Sequence, residues 1–458
     1  MKTKTLFLFL AICLMLPFRG LAQQELSTHF LRNIDQSAYS NPAFMTDHKV
    51  GINLASYYLN FFNSSFAADE ILFDIPGTDS LRLDLDPVIS GIGPEDFFHF
   101  DINVDLLYLT FRTKKAQFSL NTAIKNIGYV QYNQELVDVI WNGNANYIGE
   151  TIEIAPDFQT FSYLEIGLGA AVQVTNKINV GGRFKLLSGV ADFSAADPNQ
   201  RISLTTDPDI FQLTLNTDYA INSSGFPELD STYTPANDED VFDFFFSELS
   251  FFENFGFAFD LGIEIQVNEK LSLAASATDI GAIEWSQNIF NYDSQGEFFF
   301  DGIDLDPLLD GDTLDFSSIG DTLRDIFDIQ TEVSSRSYTS RLPAKYYLSG
   351  RYQVNPKLVV NGLFYMESFR DVVTPGFAVG ANYQVAKPLN LGAVFSYRNN
   401  AFSNFGLNAV LHAGPVQIFA ASDNLIPVFQ PFGGRNFNMR GGLNLVFGKT
   451  RELEDPKM

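Results

Sequence analysis

The chain has 458 residues, a formal net charge of −26, 46 phenylalanines and only 18% charged residues. So acidic a balance argues against nucleic acid and anionic lipid surfaces as partners. Nothing internal approaches the roughly 18 consecutive apolar residues of a spanning helix. A membrane-crossing form of this chain would therefore use strands with alternating apolar residues.

Residues 1–22 read as a cleaved signal peptide. Lys2 and Lys4 are its charged start, Leu6 to Pro17 its apolar run, and Gly20-Leu21-Ala22 a small-residue site before Gln23. The short run, ending in Pro17-Phe18-Arg19, disfavours an uncleaved anchor. Cys13, the only cysteine, lies within it, so the mature chain has no thiol for a disulfide or a thiolate metal site. Cleavage removes Lys2, Lys4 and Arg19 and leaves 26 basic against 55 acidic residues, a net −29. Residues 23–48 form a polar lead with a turn at Asn41-Pro42-Ala43-Phe44. This segment is either a periplasmic arm or a plug within a lumen.

From 49 to 448 the pattern is that of strands. Val50, Ile52, Leu54 and Tyr58 fall on one face of the first, and Gly51, Asn53 and Ala55 on the other. The clearest hairpin spans 257–278. Phe257, Phe259, Leu261, Ile263, Ile265 and Val267 alternate with Ala258, Asp260, Gly262, Glu264 and Gln266, and Leu271 and Leu273 resume the apolar face after Asn268-Glu269-Lys270. One wall is apolar and the other carries carboxylates that a dry core would tolerate poorly. Short turns at 113–116, 175–177, 268–270, 355–357, 386–388 and 413–415 alternate with longer connections. The extended ones cover about 63–97, 131–158, 194–255 and 286–340, with briefer ones near 370–374, 399–403 and 423–436. Counting between them gives an all-β fold, a barrel of fourteen antiparallel strands crossing a Gram-negative outer membrane, with short periplasmic turns and long extracellular loops. Gln-Val recurs before the turns at 173–174, 266–267, 353–354 and 384–385, as in a repeated meander hairpin. Within 194–255, Arg201–Thr206 and Phe211–Ile221 read as a hairpin above the membrane. Phe61, Phe62, Phe97, Phe98, Tyr129, Phe251, Phe252, Phe255, Trp285 and Phe369 stand near the long-loop ends and fit an outer aromatic girdle. A polar tail follows at 449–458.

Several short motifs then combine in order: Asn142-Gly143-Asn144, Tyr163-Leu164-Glu165, Gly181-Gly182-Arg183-Phe184-Lys185, Thr278-Asp279-Ile280-Gly281-Ala282-Ile283-Glu284-Trp285, Arg341-Leu342-Pro343-Ala344-Lys345, Gly414-Pro415-Val416-Gln417 and Ser422-Asp423-Asn424-Leu425. In this order they resemble a Bacteroidetes family of outer-membrane barrels of unassigned function, over about residues 30 to 448. More distantly the layout is similar to fatty-acid-transporter (FadL-like) barrels and to the type IX secretion shuttle (PorV-like) barrel. The first likeness implies passive transport of a small hydrophobic molecule. The second implies a barrel that docks secretion or surface-assembly partners.

By alternation the lumen wall includes Glu165, Gln173, Arg183, Lys185, Asp260, Glu264, Lys345, Arg351, Arg398, His412 and Arg440. Such charges either brace the inner wall as ion pairs or line a ligand path. Phe242, Phe244, Phe245, Phe246, Phe251 and Phe252 cluster among acids, as the mouth of an apolar path or as a packed cap. Asp301, Asp304, Asp306, Asp310, Asp312 and Asp315 lack a full calcium-loop spacing and read as a solvated loop. His29, His48, His99 and His412 have no paired metal spacing. Neither a nucleophile elbow nor a phosphate-cradling glycine loop occurs. The expectation is a non-enzyme without metal or cofactor, in contact with outer-membrane lipid and lipopolysaccharide, inserted by barrel-assembly machinery, with a small hydrophobic ligand and no nucleic acid.

Overall fold

The computed structural model describes residues 26–78, 80–226, 253–300, 332–370, 372–398, 401–425 and 433–449. The signal segment 1–22, Phe244, Phe245, Phe246, Phe251, Phe252, the acidic run from Asp301 to Asp315 and the tail beyond Lys449 lie outside them.

Fourteen long strands form the wall among the described residues. They are β1 His48–Asn63, β2 Asp96–Arg112, β3 Ala116–Tyr132, β4 Asp157–Thr175, β5 Ile178–Ala195, β6 Asn254–Gln266 and β7 Leu271–Trp285. The remainder are β8 Ala344–Asn355, β9 Leu358–Phe369, β10 Val372–Ala386, β11 Leu389–Arg398, β12 Ala401–Ala413, β13 Val416–Ser422 and β14 Asn436–Lys449. Each pairs antiparallel with the next. The ring closes because β1 pairs with both β2 (Val50 opposite Phe111) and β14 (Val50 opposite Phe447). Closure leaves no free edge among these strands, as a hydrocarbon environment requires.

The side chains invert the usual order of a soluble protein. Leu261 is 62% exposed, and Leu54, Leu168, Leu348, Phe364, Val379 and Phe405 are likewise exposed on outward faces around the ring. Asp260, Glu165, Lys185 and Asn444 are buried inside it. An apolar belt outside and a charged wall inside define a membrane-spanning barrel. Among the described residues no helix is long and apolar enough to cross a membrane.

The turns on the side where β1 begins and β14 ends are tight for a local reason. Asn268 Oδ1 accepts the backbone N–H groups of Lys270 (2.9 Å) and Leu271 (3.0 Å), and Asn355 does the same for Lys357 and Leu358. The preceding glutamines of the Gln-Val repeat donate across these turns, Gln266 to the Asn268 carbonyl and Gln353 to that of Asn355.

On the opposite side the connections carry structure. Asn133 caps the helix Gln134–Asn142 by accepting from Leu136 N (2.9 Å), and Gly143 ends it at φ 76°. Arg201–Thr206 pairs with Leu213–Ser224, which also pairs with Ile289–Phe300. The last strand differs from the reading of 286–340 as a loop. Its sequence lacks strict alternation, and it is held by cross-strand pairing and by burial of Tyr292 and Phe298.

Two further differences have separate causes. Tyr58 lies inside, whereas alternation groups it with Leu54, which is exposed. A bulge between Asn53 and Ala55 puts Leu54 and Ala55 both outward and reverses the parity above them. The girdle expected at the long-loop ends also splits. Phe61, Phe98 and Phe255 face outward, but Phe62, Phe97, Tyr129 and Trp285 turn inward and are buried. Adjacent residues of a strand cannot share a face, so Phe61-Phe62 and Phe97-Phe98 must divide.

Candidate functional site in the barrel interior

A ring of this size encloses more space than its own wall can fill. Residues 26–47 enter that space. The short helix Leu26–Phe30 starts where Leu26 N and Ser27 N donate to the Asp423 carboxylate (2.9 and 2.7 Å) beyond β13. His29 then bridges Ser40 and Ser349 (2.8 Å each) and stacks on Tyr347 of β8. Arg32 pairs with Glu264 of β6 at 3.1 Å, and Gln36 exchanges amide hydrogen bonds with Asn444 of β14. Tyr39 donates to Asp105 of β2, Asn41 donates to carbonyls of β6 and β7, and Thr46 N donates to Gln117 of β3. Only a segment lying within the ring can touch strands on all its sides.

Its seat is written in small residues. Gly181 of β5 and Gly262 of β6 are direct cross-strand partners. A methyl group on Gly181 would collide with the Pro42 carbonyl, and one on Gly262 with the Asn41 amide. The Asn41-Pro42 turn thus lies against bare backbone, for which glycine is required. Opposite, Leu26 and Phe30 pack on Tyr347, Leu363, Tyr365, Ala378 and Val394, while Leu31 and Ile34 pack on Val410, Phe419 and Ala421.

Against the segment on the β2–β8 side lies an ionic layer. Lys185 reaches Asp260 (2.8 Å), Asp279 (2.5 Å) and Glu165 (3.8 Å). Lys125 reaches Glu165 (2.8 Å) and Asp279 (3.9 Å), and Lys345 reaches Asp279 (3.5 Å). Arg183 meets Asp260 at 3.4 Å and donates to the Ala38 carbonyl, and Arg440 meets Asp105 at 2.6 Å. Between this layer and the segment is a cavity of about 50 Å³ bordered by Asp101, Asn103, Asp105, Lys125, Lys345, Tyr58 and Tyr39.

Towards the long connections the interior becomes apolar. Ile127, Phe161, Tyr163, Leu187, Ala258, Ile283, Trp285 and Leu342 form one buried cluster, with Phe369 and Tyr338 against it. Phe62, Phe97 and Tyr129 form a second that shares Phe369. Trp285 Nε1 donates to Ser340 (2.9 Å), which satisfies its one polar atom.

The structure thus brings Glu165, Arg183, Lys185, Asp260 and Lys345 together and places Arg440 beside them. Glu264 stands apart, pairing with Arg32. Arg351 is half-buried across from Ser272, and His412 meets Gln417 at 3.2 Å. Arg398 ends β11, its side chain outside the described residues. Sequence reasoning missed Asp101, Asp105, Lys125, Asp279 and Arg32. Asp101, Asn103 and Asp105 alternate with Ile102, Val104 and Leu106, a signal present in the chain. Asp279 was hidden by a bulge. Register shifts between Phe259 and Leu261, Asp279 adopts φ 58°, and Thr278 and Asp279 both turn inward. Among the described residues no group of three His, Cys, Asp or Glu is placed to hold a metal ion.

A profile for a family of unknown function (DUF5723) matches residues 42–423, and the chain belongs to that family. No curated protein matches the sequence. Among solved structures the chain is similar to a FadL homologue from Pseudomonas aeruginosa, with 12% identity, 94% of this chain and 99% of the other covered, and a TM-score of 0.45. It is also similar to the toluene transporter TbuX of Ralstonia pickettii, with 10% identity, 91% and 94% covered, and a TM-score of 0.42. For the translocator domain of the autotransporter NalP from Neisseria meningitidis the values are 8% identity, 92% and 97% covered, and a TM-score of 0.37.

Proposed function

We propose that this member of a family of unknown function passes a small hydrophobic molecule across the outer membrane, and that residues 26–47 close its lumen. The observation that carries the reading is the inward-facing aromatic layer. A water-filled barrel has a polar interior, whereas Phe62, Phe97, Tyr129, Phe161 and Trp285 form packed apolar clusters on the long-connection side. In this reading an apolar solute crosses along these aromatic side chains when the closing segment moves. The ionic layer braces the wall, since each of its pairs is enclosed. The N-terminal segment is held by hydrogen bonds, ion pairs and packing, so it can move without breaking the barrel. Outer-membrane lipid and lipopolysaccharide contact the apolar belt in this reading, and barrel-assembly machinery inserts the chain.

Gly181→Val tests it. The larger side chain dislodges the Asn41-Pro42 turn at a local overpacking cost of about 1–3 kcal/mol. In proteoliposomes the variant should admit an apolar tracer faster than the parent chain, with the folded barrel retained on gels. Folded variant protein that admits the tracer no faster than the parent removes the role of the segment as closure.

A second reading, docking of secretion or surface-assembly partners, draws on the occupied lumen and on Ile210 and Phe211. These stand 69% and 59% exposed at the tip of the hairpin Arg201–Thr206/Leu213–Ser224. A barrel silent to solutes in every form favours it.

A further inference from the structure

The turn after β9 folds inward over the mouth of the barrel on the long-connection side. Phe369 ends β9 directly opposite Val372, the first residue of β10, so the link between them is short. Alternation carries Phe369 inward, in step with the buried Tyr365 and Glu367. In an extended chain the next residue, Arg370, would point to the opposite face. It instead adopts φ 45°, a left-handed conformation that a long side chain seldom takes and that persists only where its surroundings fix it.

Two sets of contacts fix it. Phe369 meets Tyr129 edge-on, with 5.9 Å between ring centroids, and lies 6.3 Å from Phe161, so it joins both aromatic clusters. Arg370 Nε donates to both carboxylate oxygens of Asp157 (2.9 and 2.8 Å), and Nη2 donates to the Ala195 carbonyl (2.9 Å). Asp157 opens β4 and Ala195 ends β5. Three strands, β6, β7 and β8, separate them from β9 along the wall, so the guanidinium reaches across the mouth instead of bracing a neighbour. The side chains of Arg370 and Asp157 are 10% and 7% exposed, and solvent ions screen so enclosed a pair little. A forked arginine–carboxylate pair holds its geometry, and removing either partner strands the other.

We propose that Phe369 and Arg370 form a gate over the aromatic clusters, latched to the far wall by the Arg370–Asp157 pair. Release of the pair lets the link swing back in line with the wall. Phe369 then leaves Tyr129 and Phe161, and the clusters open to solvent and to a solute arriving from the long-connection side. The N-terminal segment, held along its whole length, is the tighter of the two closures, and the gate governs access from this side. The purpose of the gate rests on the reading of the aromatic clusters as a path.

Trp285 supplies the test, because it is fully buried in the cluster against which Phe369 packs. The chain has two tryptophans, and Trp141→Phe leaves Trp285 as the one reporter. In the full chain folded in detergent, Trp285 emission should be shielded from acrylamide, a neutral quencher. Arg370→Glu should lose that shielding while the folded barrel is retained on gels, and the charge swap Asp157→Arg/Arg370→Glu should restore it. Arg336→Glu, which breaks the exposed Arg336–Asp293 pair on the same side, should leave it unchanged. Should Arg370→Glu not fold, Arg370→Gln and Asp157→Asn, which remove one charge each, take its place with the same expected loss. Unchanged shielding in folded Arg370 variants defeats the proposal, as does a swap that stays quenched. The readout needs no passage of solute, so a barrel silent to solutes that still shows the loss and its rescue fails the transport reading and keeps the gate.

Discussion

Lys185 is enclosed among Asp260, Asp279 and Glu165, so its value differs with how it is tested. Replacing a whole buried ion cluster by apolar residues can be neutral, but removing one partner strands the rest. Lys185→Met should destabilise the barrel by about 3–5 kcal/mol in a denaturant titration. A shift below about 1 kcal/mol would mean that the acids are solvated and the layer is no brace. Outside the membrane, Asp138 makes a separate prediction. Burial acts to raise its pKa, but donors on Asn142 (2.8 Å), Tyr147 (2.8 Å) and Asn146 (3.3 Å) more than offset that and hold the carboxyl below its ordinary range. A depressed folded value stabilises the fold above the unfolded value of about 4 and loses that stabilisation as pH falls through the folded one. Protease protection of the helix Gln134–Asn142 should therefore decline below about pH 4. Asp138→Asn should remove most of that pH dependence; an unchanged profile contradicts the assignment.

At the scale of elements, alternation carried most of the fold and bulges marked its limit. In β6, Phe257, Phe259 and Leu261 face out while Ala258 and Asp260 face in, as period two requires. Lumen residues such as Glu165, Arg183, Lys185 and Asp260 were legible for the same reason. Tyr58 and Asp279 were not, because one inserted residue flips every side chain beyond it and no composition rule marks where that happens. The Asn41-Pro42 turn and Gly181 were each visible in the sequence, yet their contact joins residues far apart in the chain and only the closed ring brings them together. The face assignments have a direct test. Leu261→Arg on the lipid side should cost about 2–4 kcal/mol near the bilayer midplane, against about 0–1 kcal/mol for Gln266→Arg at the rim. Equal heat-modifiability and protease resistance in both variants would show that Leu261 does not face the hydrocarbon.

For the whole molecule, three parts share one barrel interior: packed aromatic clusters, an ionic brace and a folded N-terminal segment. The fourteen-strand ring followed from the spacing of short and long connections, because closure makes strand count a property of the entire chain. The internal position of residues 26–47 did not follow, since a polar stretch with one turn suits an arm as well as a lumen. The measurement that reaches the central claim is solute entry into liposomes, by swelling and by flux of an apolar tracer, for the full chain and for a chain lacking residues 23–47. Closure of a hydrophobic path by the segment predicts a nearly silent full chain and, on deletion, a large rise in apolar flux from a barrel that remains folded. Silence in both, with the deleted chain still folded and membrane-inserted, would contradict transport and leave docking as the function to pursue.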